Sequence, residues 1–169
     1  MKIKIRQKGF TLIELLIVIA LLGALAVGLL AAVDPFEQLK KGNDTSYRNT
    51  VAEFHNAAIR FYGTEGNFPG GLTSGTKTLN NVTADAIPTL SAAGELKTGY
   101  TQLAGGTTVL AKMYVTVQTA AGSENVVVCF TPQSKSFQRD ENTQYTTAGV
   151  TTTGCKSQTG NASCAWCIQ

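Results

Sequence analysis

Residues 10–33 read FTLIELLIVIALLGALAVGLLAAV, and this stretch decides the architecture of the chain. Twenty of its 24 residues are hydrophobic, and the exceptions are Thr11, Glu14, Gly23 and Gly28. As an α-helix the stretch would be about 36 Å long, which is enough to cross a bilayer core of about 30 Å. The sequence therefore predicts a membrane-spanning helix. A carboxylate inside such a helix is costly, so Glu14 is expected to have a function.

The nine residues before this stretch carry the whole basic excess of the chain. They contain Lys2, Lys4, Arg6 and Lys8 but no acid, and without them the formal net charge of +3 becomes −1. Because basic flanks stay in the cytoplasm, everything after the span is predicted to lie outside it. The apolar run is longer than the roughly 7–15 residues of a secretory signal core, which favours a retained helix over a removed one. A generic single-span anchor is the alternative.

Composition limits the rest of the chain. The protein has 169 residues, of which 43% are hydrophobic and 15% charged. That length fits one domain, or one small domain with an appendage, and excludes a large multidomain enzyme. A net charge of +3 is too small to indicate nucleic-acid binding. We recognise no nucleophile with partners, metal cluster or phosphate loop, so we predict no enzyme, cofactor or metal site.

The stretch KGFTLIELLIVIA at residues 8–20 closely resembles the N-terminal signature of type IV pilins and type II secretion pseudopilins. The resemblance covers the leader and the first helix. It implies that a prepilin peptidase cuts between Gly9 and Phe10, and that the new Phe10 amine is N-methylated. It also implies that Glu14 of one subunit meets the Phe10 amine of its neighbour. Gly9 and Phe10 are thus the predicted processing residues, and Phe10 and Glu14 the predicted assembly residues.

Elementary chemistry agrees with these implications. Gly9 has no side chain, so a protease can bring its catalytic groups close to the scissile carbonyl. In a filament core with little water, an unpaired Glu14 carboxylate would cost several kcal/mol. Pairing it with the Phe10 amine of a neighbour would therefore set the axial register of the subunits.

A second helical segment is predicted over residues 34–62. Asp34 suits an N-cap, Pro35 the first helical position, and Glu37 the third position of a capping box. Pro35 also interrupts a continuous helix, so we expect a kink or unwound stretch between Gly23 and Pro35. The resemblance implies that this region melts locally on assembly.

This second segment is amphipathic. One stripe has helical spacing and is expected to pack against a sheet, with a coiled-coil dimer as the alternative. The stripe consists of Tyr47, Val51, Phe54, Ala58 and Phe61. Asp44 and Arg48 have the spacing of an (i, i+4) ion pair on another face. His55, the only histidine, is expected to be structural, because no motif supplies catalytic partners.

Residues 63–169 are predicted to form a globular part, which gives an α+β chain with the pilin fold. Gly63 is a plausible helix stop, and a short helix is expected from Pro88 to Gly94. Alternating residues 109–117 and the run 126–130 predict antiparallel strands, with a possible third at 136–138. The stretch Gly66-Asn67-Phe68-Pro69 resembles the end of the long helix in pilins and major pseudopilins.

The four cysteines lie in the part predicted to be outside the cytoplasm, where disulfides persist. They are Cys129, Cys155, Cys164 and Cys167. Four cysteines allow three pairings. The weakly preferred pairing joins Cys129 to Cys167 and Cys155 to Cys164. Its first bridge would lock the chain end onto a strand. A redox motif and a zinc site are less favoured readings of these residues.

Two further patterns are weaker. Glycosylation sequons begin at Asn43, Asn81 and Asn161, but this triplet is common by chance and modification stays open. The stretch Asp140-Glu141-Asn142 is a candidate calcium site, since some major pseudopilins bind calcium in a C-terminal loop, yet a solvated turn is favoured.

The resemblance implies a structural subunit, most like a major type IV pilin. Such a subunit polymerises into an extracellular fibre for adhesion, twitching motility or DNA uptake. The expected partners are other copies of the chain, prepilin peptidase and the inner-membrane pilus assembly machinery. The subunit is expected in the cytoplasmic membrane before assembly, with nucleic acid a partner only through DNA uptake. The alternatives are a major pseudopilin of type II secretion and, less favoured, a membrane-anchored extracytoplasmic binding protein.

Overall fold

The computed structural model describes residues 9–32, 34–72, 75–120, 123–152, 154–155 and 164–169. The elements in order are α1 (Leu12–Ala32), α2 (Pro35–Glu65), β1 (Gly75–Thr78), a 3₁₀ turn (Leu79–Val82), α3 (Ala86–Ala92), α4 (Tyr100–Leu103), α5 (Thr107–Leu110), β2 (Met113–Ala120), β3 (Ser123–Phe130), α6 (Lys135–Gln138) and β4 (Trp166–Ile168). They form two compact units, of which the first ends at Phe36 and the second begins at Glu37. Leader residues 1–8 and the sequon at Asn161 lie outside the described residues.

Helix α1 is continuous through its two glycines. Gly23 and Gly28 are both helical, and the described residue that interrupts the helical pattern before Pro35 is Asp34. Pro35 starts α2, and the Asp34 carboxylate caps it by accepting a hydrogen bond from the Phe36 N–H at 3.1 Å. The interruption therefore lies at the proline end of the expected region, because proline lacks the donor that a continuous helix needs.

Four antiparallel strands form one sheet in the order β1-β2-β3-β4. The central pair β2–β3 runs in register from Met113 opposite Phe130 to Ala120 opposite Ser123. The small antiparallel sheet expected from the sequence is thus confirmed, although residues 109–110 belong to α5. The outer strands β1 and β4 fall in segments for which no strand was predicted.

The possible third strand at residues 136–138 is wrong, because this segment is the short helix α6. Ser134 provides the N-cap, and its Oγ accepts a hydrogen bond from the Phe137 N–H at 3.4 Å. Phe137 is buried and packs near Phe130 with 6.1 Å between ring centroids. One apolar residue anchored by a cap is enough to hold a single helical turn here.

The long helix ends later than expected. It continues past Gly63 to Glu65, and Gly66 then takes a positive φ of 71°. The Gly66 N–H donates to the Tyr62 carbonyl at 2.8 Å, which satisfies one of the last helical acceptors. Phe68 packs on Tyr62 with 4.6 Å between ring centroids. The short helix α3 begins at Ala86, two residues before the expected Pro88.

One face of α2 packs against the sheet, as predicted. Its buried apolar residues are Tyr47, Val51, Phe54, Ala57, Ala58 and Phe61. They share one hydrophobic core with Val115, Val128 and Phe130 of the sheet. Burying each large side chain in this way is worth about 1.5–3 kcal/mol. Tyr100 joins the same core and donates from its hydroxyl to the Thr50 carbonyl at 2.8 Å, and this burial strongly raises the pKa of Tyr100.

Asp44 is fully buried on α2 and holds the connection that follows β3. Its two oxygens accept hydrogen bonds from the Gln133 N–H at 3.1 and 3.0 Å. Asp44 Oδ2 also accepts from the Ser134 N–H at 2.7 Å and from the Ser134 hydroxyl at 2.6 Å. The ion pair expected between Asp44 and Arg48 is wrong, since none joins them in the described chain. Buried backbone N–H groups cannot reach water and need a protein acceptor, whereas an exposed guanidinium can donate to water.

Replacing Asp44 by Ala is expected to lower the free energy of unfolding by roughly 3–5 kcal/mol, because buried N–H groups lose a charged acceptor. Chemical denaturation of the full chain in detergent, followed by near-UV circular dichroism, measures the change. Glu53→Ala removes an exposed acid from the same helix and should change stability by less than about 0.5 kcal/mol. A loss below about 1 kcal/mol for Asp44→Ala would contradict the anchoring role.

His55 lies in the core between α2 and the sheet. Its Nε2 is buried and makes no well-formed hydrogen bond within the described residues, while its Nδ1 lies 3.5 Å from Asn56 Oδ1. Burial lowers the pKa of His55 below its ordinary value, and the Asn56 side chain and Val126 backbone oppose this only in part.

Acidification from pH 7 to about 5.5 is expected to destabilise the folded chain through His55. Above the ordinary histidine pKa of about 6.5 both states are neutral, whereas below it the unfolded chain binds a proton that the folded chain resists. The slope for one proton is at most about 1.4 kcal/mol per pH unit. His55→Phe should flatten the pH dependence measured by chemical denaturation. An unchanged slope in that variant would show that His55 is not the cause.

Candidate processing and assembly site

The start of α1 brings together three of the residues that the signature singles out. Gly9, Phe10 and Thr11 precede the helix, and Glu14 lies in its first turn. Glu14 Oε2 accepts hydrogen bonds from the N–H and the hydroxyl of Thr11, both at 2.8 Å. Thr11 Oγ1 in turn accepts from the Glu14 N–H at 3.3 Å. This reciprocal arrangement is a capping box, so the Glu14 carboxylate has partners within its own chain.

The bond between Gly9 and Phe10 lies in accessible backbone outside the helix. Both residues are exposed, and Phe10 is 88% exposed. A Cβ built on Gly9 would meet nothing within 4 Å, so this chain itself leaves room for a side chain. Glu14 sits at the positive end of the helix dipole, which favours a carboxylate. The Gly9–Phe10 peptide bond and the Glu14 carboxylate are therefore both accessible.

Beyond Glu14, α1 presents only apolar surface. Its large hydrophobic side chains from Leu12 to Leu30 are between 48% and 80% exposed. Among the described residues, this is the one helix long and apolar enough to cross a membrane. Apolar surface of this extent requires a lipid or protein environment.

The structure pairs Cys129 with Cys167 and Cys155 with Cys164, one of the three pairings left open by the sequence. Cys129 and Cys167 lie opposite each other on β3 and β4. Two disulfides in the C-terminal region are as expected from the sequence. A second small core lies here and is formed by Val127, Cys129, Ala165 and Cys167, with Tyr114 and Tyr145 packed against it.

The weaker motifs have ordinary local roles in the structure. Within the described ranges, no group of three or more His, Cys, Asp or Glu residues is arranged to hold a metal ion. Asp140 Oδ1 accepts a hydrogen bond from the Asn142 N–H at 2.9 Å, as in a polar turn. Asn43 lies within α2, whereas Asn81 is exposed on the 3₁₀ turn.

A comparison with known families finds the prokaryotic N-terminal methylation motif at residues 4–30. The chain carries the type IV pilin and pseudopilin signature. This prepilin signature includes Gly9, Phe10 and Glu14, and it supports a structural subunit anchored in the membrane before assembly. No similar protein is found among the curated proteins, and none among the solved structures.

One further residue of this site has no predicted role from the sequence. It is Thr11, whose hydroxyl donates to the Glu14 carboxylate and accepts from the Glu14 N–H. The available signal was the Thr-x-x-Glu spacing directly before a hydrophobic run.

Proposed function

We propose that this chain is the major subunit of a type IV pilus. The observation that carries the proposal is the apolar helix α1, which has no buried residue in its span and carries Glu14 in its first turn. Such a helix is suited first to the membrane and then to a filament core built from copies of itself. The unit that begins at Glu37 has a hydrophobic core of its own.

Processing would convert the membrane-anchored subunit into one that can join a filament core. Removal of leader residues 1–9 takes away four basic side chains and creates an amine at Phe10. In the packed core, the Glu14 carboxylate of one subunit then pairs with the Phe10 amine of the next. The subunit would then have a core helix at residues 10–33, an outer helix at residues 34–62 and a globular head at residues 63–169. The fibre would act in adhesion, twitching motility or DNA uptake.

A major pseudopilin of type II secretion is the second candidate. The N-terminal signature is common to both groups, and the stretch Gly66 to Pro69 resembles the end of the pseudopilin helix. A pseudopilin would form a short periplasmic fibre in place of a surface pilus.

Electron microscopy of fibres sheared from the cell surface, with mass spectrometry of their N-terminal peptide, tests the proposal. We expect long fibres composed of this chain, starting at an N-methylated Phe10. Correctly processed protein in the envelope without surface fibres would favour the pseudopilin, and unprocessed protein would contradict both.

A further inference from the structure

A groove of about 400 Å³ separates α2 from the C-terminal strand β4. Its lining includes Arg48, Asn142, Tyr145, Trp166, Ile168 and Gln169. The groove lies entirely within the unit that begins at Glu37. Its volume is in the range of small-molecule sites.

Arg48 brings a positively charged side chain to this groove. Its guanidinium carbon lies 5.7 Å from the centroid of the Trp166 ring, and that ring packs on Phe130 with 5.6 Å between centroids. Every acidic residue of the chain lies in the described ranges, yet Arg48 makes no ion pair with any of them. The lining also contains no acidic side chain. The guanidinium is therefore positioned by an aromatic ring, with its fork of donors open.

Uncharged hydrogen-bonding groups face the same groove. The Asn142 carboxamide makes no hydrogen bond to any described residue, because only the backbone of Asn142 is engaged, with Asp140 and Cys167. The Tyr145 hydroxyl has one weak contact, from Gln144 Nε2 at 3.5 Å, and keeps its proton to donate. Gln169 donates from Nε2 to the Gly149 carbonyl at 3.2 Å, which leaves its Oε1 as an acceptor.

We infer that this groove binds a sugar unit that carries a carboxylate. One guanidinium matches one carboxylate through paired hydrogen bonds. The amide and phenol groups suit hydroxyls, which both donate and accept. Trp166 is only 6% exposed and already lies under Arg48, so its ring offers no free face on which a nucleobase would stack. This binding goes beyond the role of a polymer subunit and does not depend on polymerisation.

Titration of the full chain in detergent with sodium D-glucuronate, and separately with neutral D-glucose, tests the inference. Trp166 is the only tryptophan, so its fluorescence reports on the groove, and the ¹⁵N shift of the Asn142 amide gives a second readout. A saturable response to glucuronate but not to glucose is expected. No response to glucuronate up to roughly 100 mM, or an equal response to glucose, would overturn the inference.

Variants of the lining residues test whether glucuronate binds in this groove. Arg48→Gln should weaken glucuronate binding at least about tenfold, as read from the Asn142 shift. Lys112→Gln is the matched control, because Lys112 also lies over an aromatic ring, 5.9 Å from the Tyr47 centroid, but outside the groove lining. Asn142→Ala should weaken binding less while leaving the Arg48–Trp166 contact in place, so it tests the site even if Arg48→Gln fails to fold. Unchanged affinity in both groove variants would refute the assignment.

Titration with a trimer of glucuronate distinguishes two natural ligands, a surface polysaccharide and a free acidic sugar. Affinity at least about tenfold higher for the trimer would support a surface polysaccharide as the natural ligand, and equal affinity would support a free acidic sugar. Triglutamate serves as the peptide comparison, and tighter binding of triglutamate than of either sugar would overturn the assignment to a saccharide.

Discussion

A strain whose only subunit carries Glu14→Ala is expected to make no fibres, while the processed protein remains in the membrane. In the single chain the Glu14 carboxylate is exposed and accepts hydrogen bonds from Thr11, so a group from outside the chain can reach it. In a core packed from α1 helices there is little water, and the Phe10 amine of a neighbour would lose its counter-charge. Leaving a buried charge unpaired costs several kcal/mol for each subunit that joins.

Two further variants separate the charge of Glu14 from its capping role. Glu14→Gln keeps an oxygen that can accept from the Thr11 N–H but has no charge, so we expect it to fail like Glu14→Ala. Thr11→Val removes the hydroxyl but keeps the carboxylate, so we expect fibres to form. Counting sheared fibres by electron microscopy, alongside the subunit content of the membrane, should show at least a roughly 100-fold loss for both Glu14 variants.

The opposite pattern in these variants would give the loss of fibres a different cause. Normal fibres from Glu14→Gln with none from Thr11→Val would show that helix capping, and not charge pairing, is what assembly needs. Normal fibres from Glu14→Ala would exclude a role in register altogether.

Features encoded by neighbouring residues could be predicted from the sequence. The apolar helix, the break at Pro35 and the stripe of α2 that packs on the sheet all follow from local spacing. The central strands β2 and β3 were also recognisable, because their β-branched residues alternate or cluster near a turn. At the candidate site, Gly9, Phe10 and Glu14 stood in one continuous motif.

Features that depend on distant residues could not be read in the same way. Asp44 has the spacing to pair with Arg48, yet its actual partners lie 89 and 90 positions further along the chain. Strand β4 is only three residues long and exists because β3 offers an edge to pair with. Arg48 likewise finds Trp166 only through tertiary folding. The groove that these residues form therefore had no local signal.

Replacing Gly9 by Val is expected to block removal of the leader almost completely. In this chain nothing lies within 4 Å of a Cβ built at Gly9, and the backbone there is exposed and outside α1. The folded subunit should therefore tolerate the side chain, and the block would arise where the peptidase approaches the scissile carbonyl. The retained leader keeps its four basic residues, so intact mass and electrophoretic mobility both detect it.

Gly42→Val provides the matched control for this prediction. Gly42 also has nothing within 4 Å of a built Cβ, but it lies in α2, far along the chain from the cleavage site. It should be processed fully, which separates the effect of position from that of a bulkier side chain. Gly9→Val should also form no fibres, because without cleavage there is no Phe10 amine to pair with Glu14. Cleavage of Gly9→Val as complete as that of Gly42→Val would mean that the peptidase does not require a glycine at this position.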